Sequence, residues 1–515
     1  MTTVEKLSDG RLPDARTGWI VTIAITLVAF GLRFVNFWYP KILVFDETYY
    51  PKDAYSLLKF GYERTWPKDA NDRILAGDAD IMLNDPSFTV HPPLGKWIIA
   101  LGEQLFGMNS FGWRIMSVVF GSLLVMATIR LARRLSRSTL VGGIAGVLLT
   151  FDGLAFVMSR IGLLDIFQAT FTVAAVACVV ADRDYFRWKL ASYLTGTGIP
   201  DLDGRFGPLV WWRPWRIAAG VLFGCAIAVK WNSIYVLAAF GILSVAWDVG
   251  ARRLAGASRA AYKSVLIDAP LAFVKMVIVG LLAYVATWSG YLLTDGGYLR
   301  QWGAQHPDDP VVKVLGAPLG SLWRFHVETY KFHTGDYIRS QTHTYASNPL
   351  GWPLMLRTIG FDATNDIKAG EDGCTATGTT CLRVIQAMGT PLLWWLAAVA
   401  LLIGAVLWLS GRDWRYSVPV LATLAVWLPW TPHSDRPIFF FYAVVMVPFT
   451  VTGLALVLGR VLGPADHPER RRRSILVGTL VGLVVLNFAF IYPVLTDELM
   501  TRTAWLLRMW LPSWI

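Results

Sequence analysis

The sequence predicts an all-α protein that crosses a membrane many times, and three observations carry that prediction. Of 515 residues, 55% are hydrophobic and only 16% charged, against roughly 25% charged in an ordinary soluble domain. Apolar runs recur along the whole chain, most of them near the roughly 20 residues that a bilayer crossing needs. The basic residues, which outweigh the acidic ones by +11, concentrate in alternate connections between those runs. Disorder and a disulfide scaffold are excluded by the apolar content and a count of four cysteines. Nucleic-acid binding is disfavoured because the basic residues lie between apolar runs and form no compact module.

Eleven runs read as spans: about 19–38, 111–130, 139–157, 163–181, 215–230, 232–248, 267–293, 388–409, 416–431, 437–458 and 474–495. The first follows a mixed-charge tail (Lys6, Asp9, Arg11, Asp14, Arg16) with no small-residue cleavage site, so it reads as a retained signal anchor. Runs 215–230 and 232–248 meet at Lys230-Trp231-Asn232 with almost no loop. With the N-terminus cytoplasmic, the inside segments are 1–18, 130–138, 182–216, 248–268, 411–415 and 459–474. They hold 24 Lys and Arg against 12 Asp and Glu, which accounts for the whole positive excess. This is the positive-inside pattern, and it puts the C-terminus outside.

The chain then divides into a cytoplasmic tail (1–18), an N-terminal transmembrane module (19–293) with a first exported loop (39–110), a long exported loop (294–387), a C-terminal transmembrane module (388–495) and an exported tail (496–515). The mixture of Trp and Arg over 499–510 suits a helix lying in the membrane interface.

Directly after the first span comes Phe45-Asp46-Glu47-Thr48-Tyr49-Tyr50. Two adjacent carboxylates at a membrane surface are unusual because desolvating charge is costly. One could accept a proton from an attacking hydroxyl while the other positions a substrate, and apolar surroundings would raise a carboxyl pKa toward a useful range. The plain alternative is a solvated loop start, or Asp46 as a helix N-cap. The same loop ends in His91-Pro92-Pro93-Leu94-Gly95-Lys96-Trp97, where two prolines stiffen the backbone between His91 and Lys96. Those cations would suit a phosphate; alternatively, Lys96 snorkels from a Pro-initiated interfacial helix. Further ionisable groups sit in or beside spans: Arg33, Arg114, Arg160, Asp165, Lys230 and Arg436. Intramembrane charges are functional candidates by default, although Arg160 and Asp165 could form a structural salt bridge.

These motifs, with Ser159-Arg160-Ile161-Gly162-Leu163-Leu164-Asp165, Val229-Lys230-Trp231-Asn232 and Thr344-Tyr345-Ala346-Ser347-Asn348-Pro349-Leu350-Gly351-Trp352-Pro353-Leu354, resemble the protein O-mannosyltransferase family, in family order from about residue 30 to 495. The resemblance implies a C-type glycosyltransferase (GT-C) fold of about eleven spans. It also implies transfer of mannose from polyprenyl-phosphate-mannose to Ser or Thr hydroxyls of exported proteins. Asp46 would be the catalytic base and Glu47 would support positioning. Arg33 and Arg114 match arginines that recur in the family's first two spans. His91, Lys96, Arg160, Asp165, Lys230, His343 and Arg436 are the remaining candidates for the donor-phosphate region. Residues 294–387 are too few for the β-trefoil insertion of eukaryotic members, which points to a bacterial plasma-membrane protein. No cofactor or metal is expected. The expected partners are the lipid-linked donor, the protein acceptors and membrane lipids, with the export translocon as a candidate neighbour and no nucleic acid.

Other features compete weakly. Asp78-Ala79-Asp80, Asp182-Arg183-Asp184 and Asp201-Leu202-Asp203 match a short metal–nucleotide-sugar pattern but read as solvated loop carboxylates. His326, Glu328, His333 and His343 lack tight metal-ligand spacing. In an oxidising compartment Cys374 and Cys381 would close a small disulfide loop, while Cys178 and Cys225 read as small buried side chains. Rival functions are a GT-C transferase acting on a lipid or glycan acceptor, and a transporter using Arg33, Asp165 and Lys230; a transporter would more often show inverted repeats and broken spans.

Overall fold

A computed structural model of the chain describes residues 2–8 and 14–515; Asp9 and Arg11 of the expected tail lie outside the described residues. Helices form in every apolar run. The principal elements are α1 (Ala15–Phe34), α2 (Tyr50–Phe60), α3 (Leu94–Phe106), α4 (Ser110–Ser136), α5 (Thr139–Thr150), α6 (Asp165–Thr197), α7 (Pro214–Val229) and α8 (Ser233–Leu254). Then come α9 (Ala260–Thr287), α10 (Ala317–Thr334), β1 (Ile359–Ile367), β2 (Cys381–Ala387), α11 (Pro391–Leu409), α12 (Ser417–Trp427), α13 (Val447–Leu462), α14 (Arg470–Leu495), β3 (Met500–Thr501) and α15 (Arg502–Leu506).

Seven helices, α1, α4, α6, α8, α9, α11 and α14, are long and apolar enough to cross a membrane, and α5, α7 and α13 are shorter apolar helices. Three expected spans are interrupted. Run 139–157 breaks at Phe151-Asp152, where the Asp152 carboxylate accepts from the Ala155 N–H at 2.8 Å and starts a new helix, Gly153–Met158. Run 416–431 tightens into a 3-10 turn from Leu428 to His433, where Pro429 and Pro432 remove backbone donors. Run 437–458 opens as a 3-10 turn, Phe440–Val445, ahead of α13.

Burial sorts the helices. The apolar window of α6 is 78% buried and that of α4 is 61%, against 22% for α1, α9 and α14. All are apolar on every side, but α6 and α4 face other helices whereas the outer helices expose apolar side chains such as Leu27 and Leu486, as lipid requires. Small residues let backbones approach where α7 crosses α9: a Cβ on Gly220 would sit 2.2 Å from the Lys275 carbonyl, and one on Gly224 2.3 Å from that of Gly280.

Three expectations are corrected here. Asp182 is no loop carboxylate, because α6 runs on to Thr197. It is buried, pairing with Arg213 at 2.6 Å and Arg216 at 2.8 Å, and both arginines also reach Asp248 at 3.0 Å. The exported tail, expected to form an interfacial helix over 499–510, is helical only over Arg502–Leu506. Its β3 pairs antiparallel with β2, which pairs with β1. The Trp514 carbonyl accepts from Gln386 at 2.8 Å, and the Trp514 indole donates to the Met355 carbonyl at 2.7 Å. The tail thus closes the long loop 294–387 into a small sheet. Cys374 and Cys381 are joined by a disulfide across the β1–β2 connection, with Cα atoms 5.8 Å apart. Cys178 and Cys225 are half-buried rather than buried.

Candidate active site

Asp46 and Glu47 lie on one 3-10 turn, Phe45–Thr48, eleven residues past the end of α1. Phe45 has φ of +48°, a left-handed conformation that is costly for a bulky residue. Its ring is held among Phe361, Phe439 and Phe441, with centroids 5.1–5.8 Å away. Packing thereby enforces a backbone that turns the two neighbouring carboxylates to different partners.

Glu47 points inward and is completely buried. One carboxylate oxygen accepts from Arg114 Nε and from the Gly162 amide, each at 2.7 Å; the other accepts from Arg114 Nη2 at 2.7 Å and from the Val44 amide at 3.0 Å. Arg114 spends further donors on the carbonyls of Pro40 and Ile42, both at 2.8 Å. This fork-to-fork pair satisfies both ions. Gly162 gives its amide close access to Glu47: a Cβ would stand 3.1 Å from the Trp113 carbonyl and 3.4 Å from Glu47.

Asp46 is half-buried and makes one side-chain hydrogen bond, accepted from Tyr50 Oη at 3.4 Å. Burial pushes its pKa up to about 6; the Lys230 charge and the Tyr50 hydrogen bond hold it down, and Asp165 adds to the rise. Lys230 sits in the break between α7 and α8, with Nζ 2.8 Å from both oxygens of Asp165, the first residue of α6. Gln168, one turn further along α6, donates to Asn232 at 2.5 Å and Ser233 at 2.8 Å, so the break is pinned from the core helix. The Lys230 ammonium also lies 4.8 Å from the Tyr442 ring centre.

His91 stacks on His333 with centroids 5.8 Å apart, beside Tyr50 at 6.2 Å. Burial first, then the charge of Lys230, depresses its pKa well below the ordinary range, so His91 is neutral near pH 7. Arg436 donates to the His333 carbonyl at 2.8 Å, and its Nε is buried without a partner among the described residues. His343 is exposed, its edge against Phe439 at 4.9 Å, with Nδ1 accepting from the Tyr345 amide.

The structure therefore sorts the expected residues into two sets. Asp46, Asp165, Lys230, His91 and Arg436 converge, with His343 at the rim. Arg33, Arg114 and Lys96, expected as phosphate contacts, are committed elsewhere. Arg33 is fully buried in the bundle, donating to Ser159 Oγ at 3.1 Å and to the carbonyls of Ala29 and Leu149. Lys96 is buried against Glu63, Thr89 and Asp53. Arg160 forms no salt bridge with Asp165; it donates to the Asn36 carbonyl at 3.1 Å, and its Nη1 is buried without a partner among the described residues.

Tyr50, Gln168 and Tyr442 are not singled out as site residues by the sequence, and His333 enters there only among the possible metal ligands. A lone Gln one turn past Asp165 was a readable signal; Tyr442 sits in an apolar run and gave none. His326 bonds Tyr284 at 2.6 Å and Glu328 pairs with Arg324 at 2.6 Å; among the described residues no group of three His, Cys, Asp or Glu side chains is placed to hold a metal ion.

A helical membrane bundle with a carboxyl and a cationic cluster at one end, met by a long loop, has the arrangement of a GT-C glycosyltransferase. The yeast protein O-mannosyltransferase Pmt1-Pmt2 complex bound to its sugar donor superposes with a TM-score of 0.71, covering 97% of this chain and 93% of that one at 11% identity, and so shows the fold. Residues 23–200 match the family described as dolichyl-phosphate-mannose-protein mannosyltransferase, and residues 318–514 match the C-terminal four-span region of protein O-mannosyltransferases. The chain is 37% identical over 511 residues to the polyprenol-phosphate-mannose–protein mannosyltransferase of Mycobacterium tuberculosis, covering 97% of this chain and 92% of that one. It is 33% identical over 479 residues to the Corynebacterium glutamicum protein of the same name, covering 92% and 88%. The chain belongs to the protein O-mannosyltransferase family.

Proposed function

We propose that this chain transfers mannose from polyprenyl-phosphate-mannose to Ser or Thr hydroxyls of exported proteins, at the extracytoplasmic face of a bacterial plasma membrane. The observation that carries the reading is Asp46: a carboxyl with a pKa near 6, at the membrane-side end of an exported loop, facing a cationic cluster. The acceptor oxygen attacks the anomeric carbon, the bond from that carbon to the phosphate oxygen breaks, and the hydroxyl proton passes to Asp46. The electron pair leaves on the polyprenyl phosphate. A single displacement inverts the anomeric centre, so a β-linked donor yields an α-mannoside.

Lys230 and Arg436, with neutral His91 as a hydrogen-bond donor, stabilise charge growing on that phosphate. Arg436 Nε, buried without a partner among the described residues, is the donor most in need of an anion. Binding of the anionic donor raises the Asp46 pKa further and makes it a stronger base. Glu47 and Arg114 act as positioning residues that hold the turn. We assign 19–293 to the catalytic module; acceptor capture falls to the sheet joining the long exported loop and the tail, where chains leaving an export translocon would arrive.

The test is reconstitution with polyprenyl-phosphate-mannose and a Ser/Thr-rich peptide. Wild type mannosylates the peptide and Asp46→Asn does not. Full turnover by Asp46→Asn overturns the assigned base, and mannosylation of a glycolipid with the peptide ignored overturns the acceptor. The scheme uses no metal; loss of activity on chelation, restored by one divalent ion, would overturn that part.

A further inference from the structure

At the end of the bundle away from Asp46 there is a cavity. Helix α4 begins beside the site, with Arg114 on Glu47, and ends at Ser136. At about 1.5 Å per residue its 27 residues span roughly 40 Å. Where it turns into α5, a cavity of about 220 Å³ opens between that turn and the ends of α12, α13 and α14, lined by Ser136, Ser138, Leu140, Arg415, Arg460 and Arg470 among others.

The three arginines come from three different elements, so the fold and not a local charge run assembles them. Arg415 is held bidentately by Asp413, at 2.8 and 2.5 Å. Arg470 donates to the Gly463 carbonyl at 2.6 Å. Arg460 is exposed and has no hydrogen-bonded or ion-paired partner among the described residues. Among the described residues, three guanidinium groups and no carboxylate line the cavity, which leaves it cationic. Its wall is apolar on the membrane side: Leu140 is 51% exposed, with Val461 and Ile475 exposed on the adjoining helices. A free anion has no use for such a wall, whereas a lipid places its phosphate among the arginines and its acyl chains along the exposed apolar side chains.

We propose that this cavity binds the phosphate headgroup of an anionic membrane lipid, with Arg460 and Arg470 as its principal ligands. The orientation proposed above makes this a lipid of the cytoplasmic leaflet; the binding itself does not depend on the enzymatic reading. Forked guanidinium donors suit phosphate oxygens better than a point charge does.

The test uses the full chain in neutral detergent, with phosphatidylglycerol or phosphatidylcholine added and bound lipid counted by native mass spectrometry. Wild type retains phosphatidylglycerol selectively. The Arg460→Gln/Arg470→Gln variant retains it about tenfold less, a loss on the scale of one charge-assisted pair, with an unchanged thermal midpoint in phosphatidylcholine. Ser138→Asp is the second probe: Asp can still cap α5, where Ser138 now accepts from the Val141 amide, but adds a repelling charge, so it also lowers retention. Equal retention of the two lipids by wild type overturns the site. So does undiminished retention of phosphatidylglycerol by both variants. Displacement by equimolar inorganic phosphate overturns the lipid as the ligand in favour of free anion.

Discussion

The two ends of this bundle treat buried charge in opposite ways. Around Asp182 and Asp248, two carboxylates face two arginines and each ion has a partner at 3.0 Å or less. Around Asp46, the carboxyl has one long hydrogen bond from a tyrosine, and Arg436 keeps an unpartnered buried nitrogen. A closed network repays part of its desolvation and holds helices in register. An open one leaves ions whose desolvation the protein offsets only in part, and a substrate that supplies the missing partner is bound in the process. The same contrast occurs between neighbours in sequence: Glu47 is saturated with four donors, Asp46 is not.

That contrast is easiest to break at Asp46 itself. Asp46→Asn should lower kcat about 10³-fold without lowering the thermal midpoint. Its carboxyl is ionised with more difficulty when folded than when unfolded, so above pH 6 the neutral amide relieves a cost. Unfolding of Asp46→Asn at lower temperature would show the turn to be structural. Arg213→Ala should do the reverse, leaving two buried carboxylates to share Arg216 with one charge uncompensated, at a cost of about 3–5 kcal/mol, read as a lowered midpoint with turnover per folded molecule preserved. Glu47→Gln belongs with Arg213→Ala if it is a brace, and with Asp46→Asn if it touches substrate.

Smaller effects sharpen the picture. Arg436→Gln should raise KM for the donor and lower kcat, together about tenfold to a hundredfold in kcat/KM, as removal of one charge-assisted contact to a leaving phosphate implies. An effect on stability alone would remove Arg436 from the site. The pH profile of kcat/KM, which reports the free enzyme, should fall on the acid side with its midpoint near 6, because Asp46 is protonated below that value and cannot accept the acceptor proton. Tyr50→Phe removes a hydrogen bond that favours the ionised form, so it should move that midpoint upward by a fraction of a unit. A midpoint that stays put in Tyr50→Phe and in Asp46→Glu assigns the limb to another group.

Much of this was legible from residue order. The apolar runs found the helices, and carboxylates straight after the first run singled out Asp46. What misled was treating every cation near one membrane face as available to a phosphate. Lys96 is taken by Glu63 and Arg114 by Glu47, 33 and 67 positions away, and Arg33 by Ser159 at a separation of 126. Linear spacing carries no information about such pairings, because each depends on which helix faces lie together. The interfacial helix expected in the tail failed for the same reason: its amphipathic pattern served equally to seat a strand and Trp514 on a sheet that forms only once the long loop has folded.

By itself the sequence determined that the chain enters a membrane and which apolar stretches become helical. Apolar runs of that length have no other favourable environment, and Lys and Arg between them oppose translocation. Tertiary structure decided which charges remain free to act. Asp46 and Glu47 are the same chemistry one residue apart, and only packing around Phe45, Gly162 and Arg114 saturates one carboxylate and leaves the other half-buried with one long hydrogen bond.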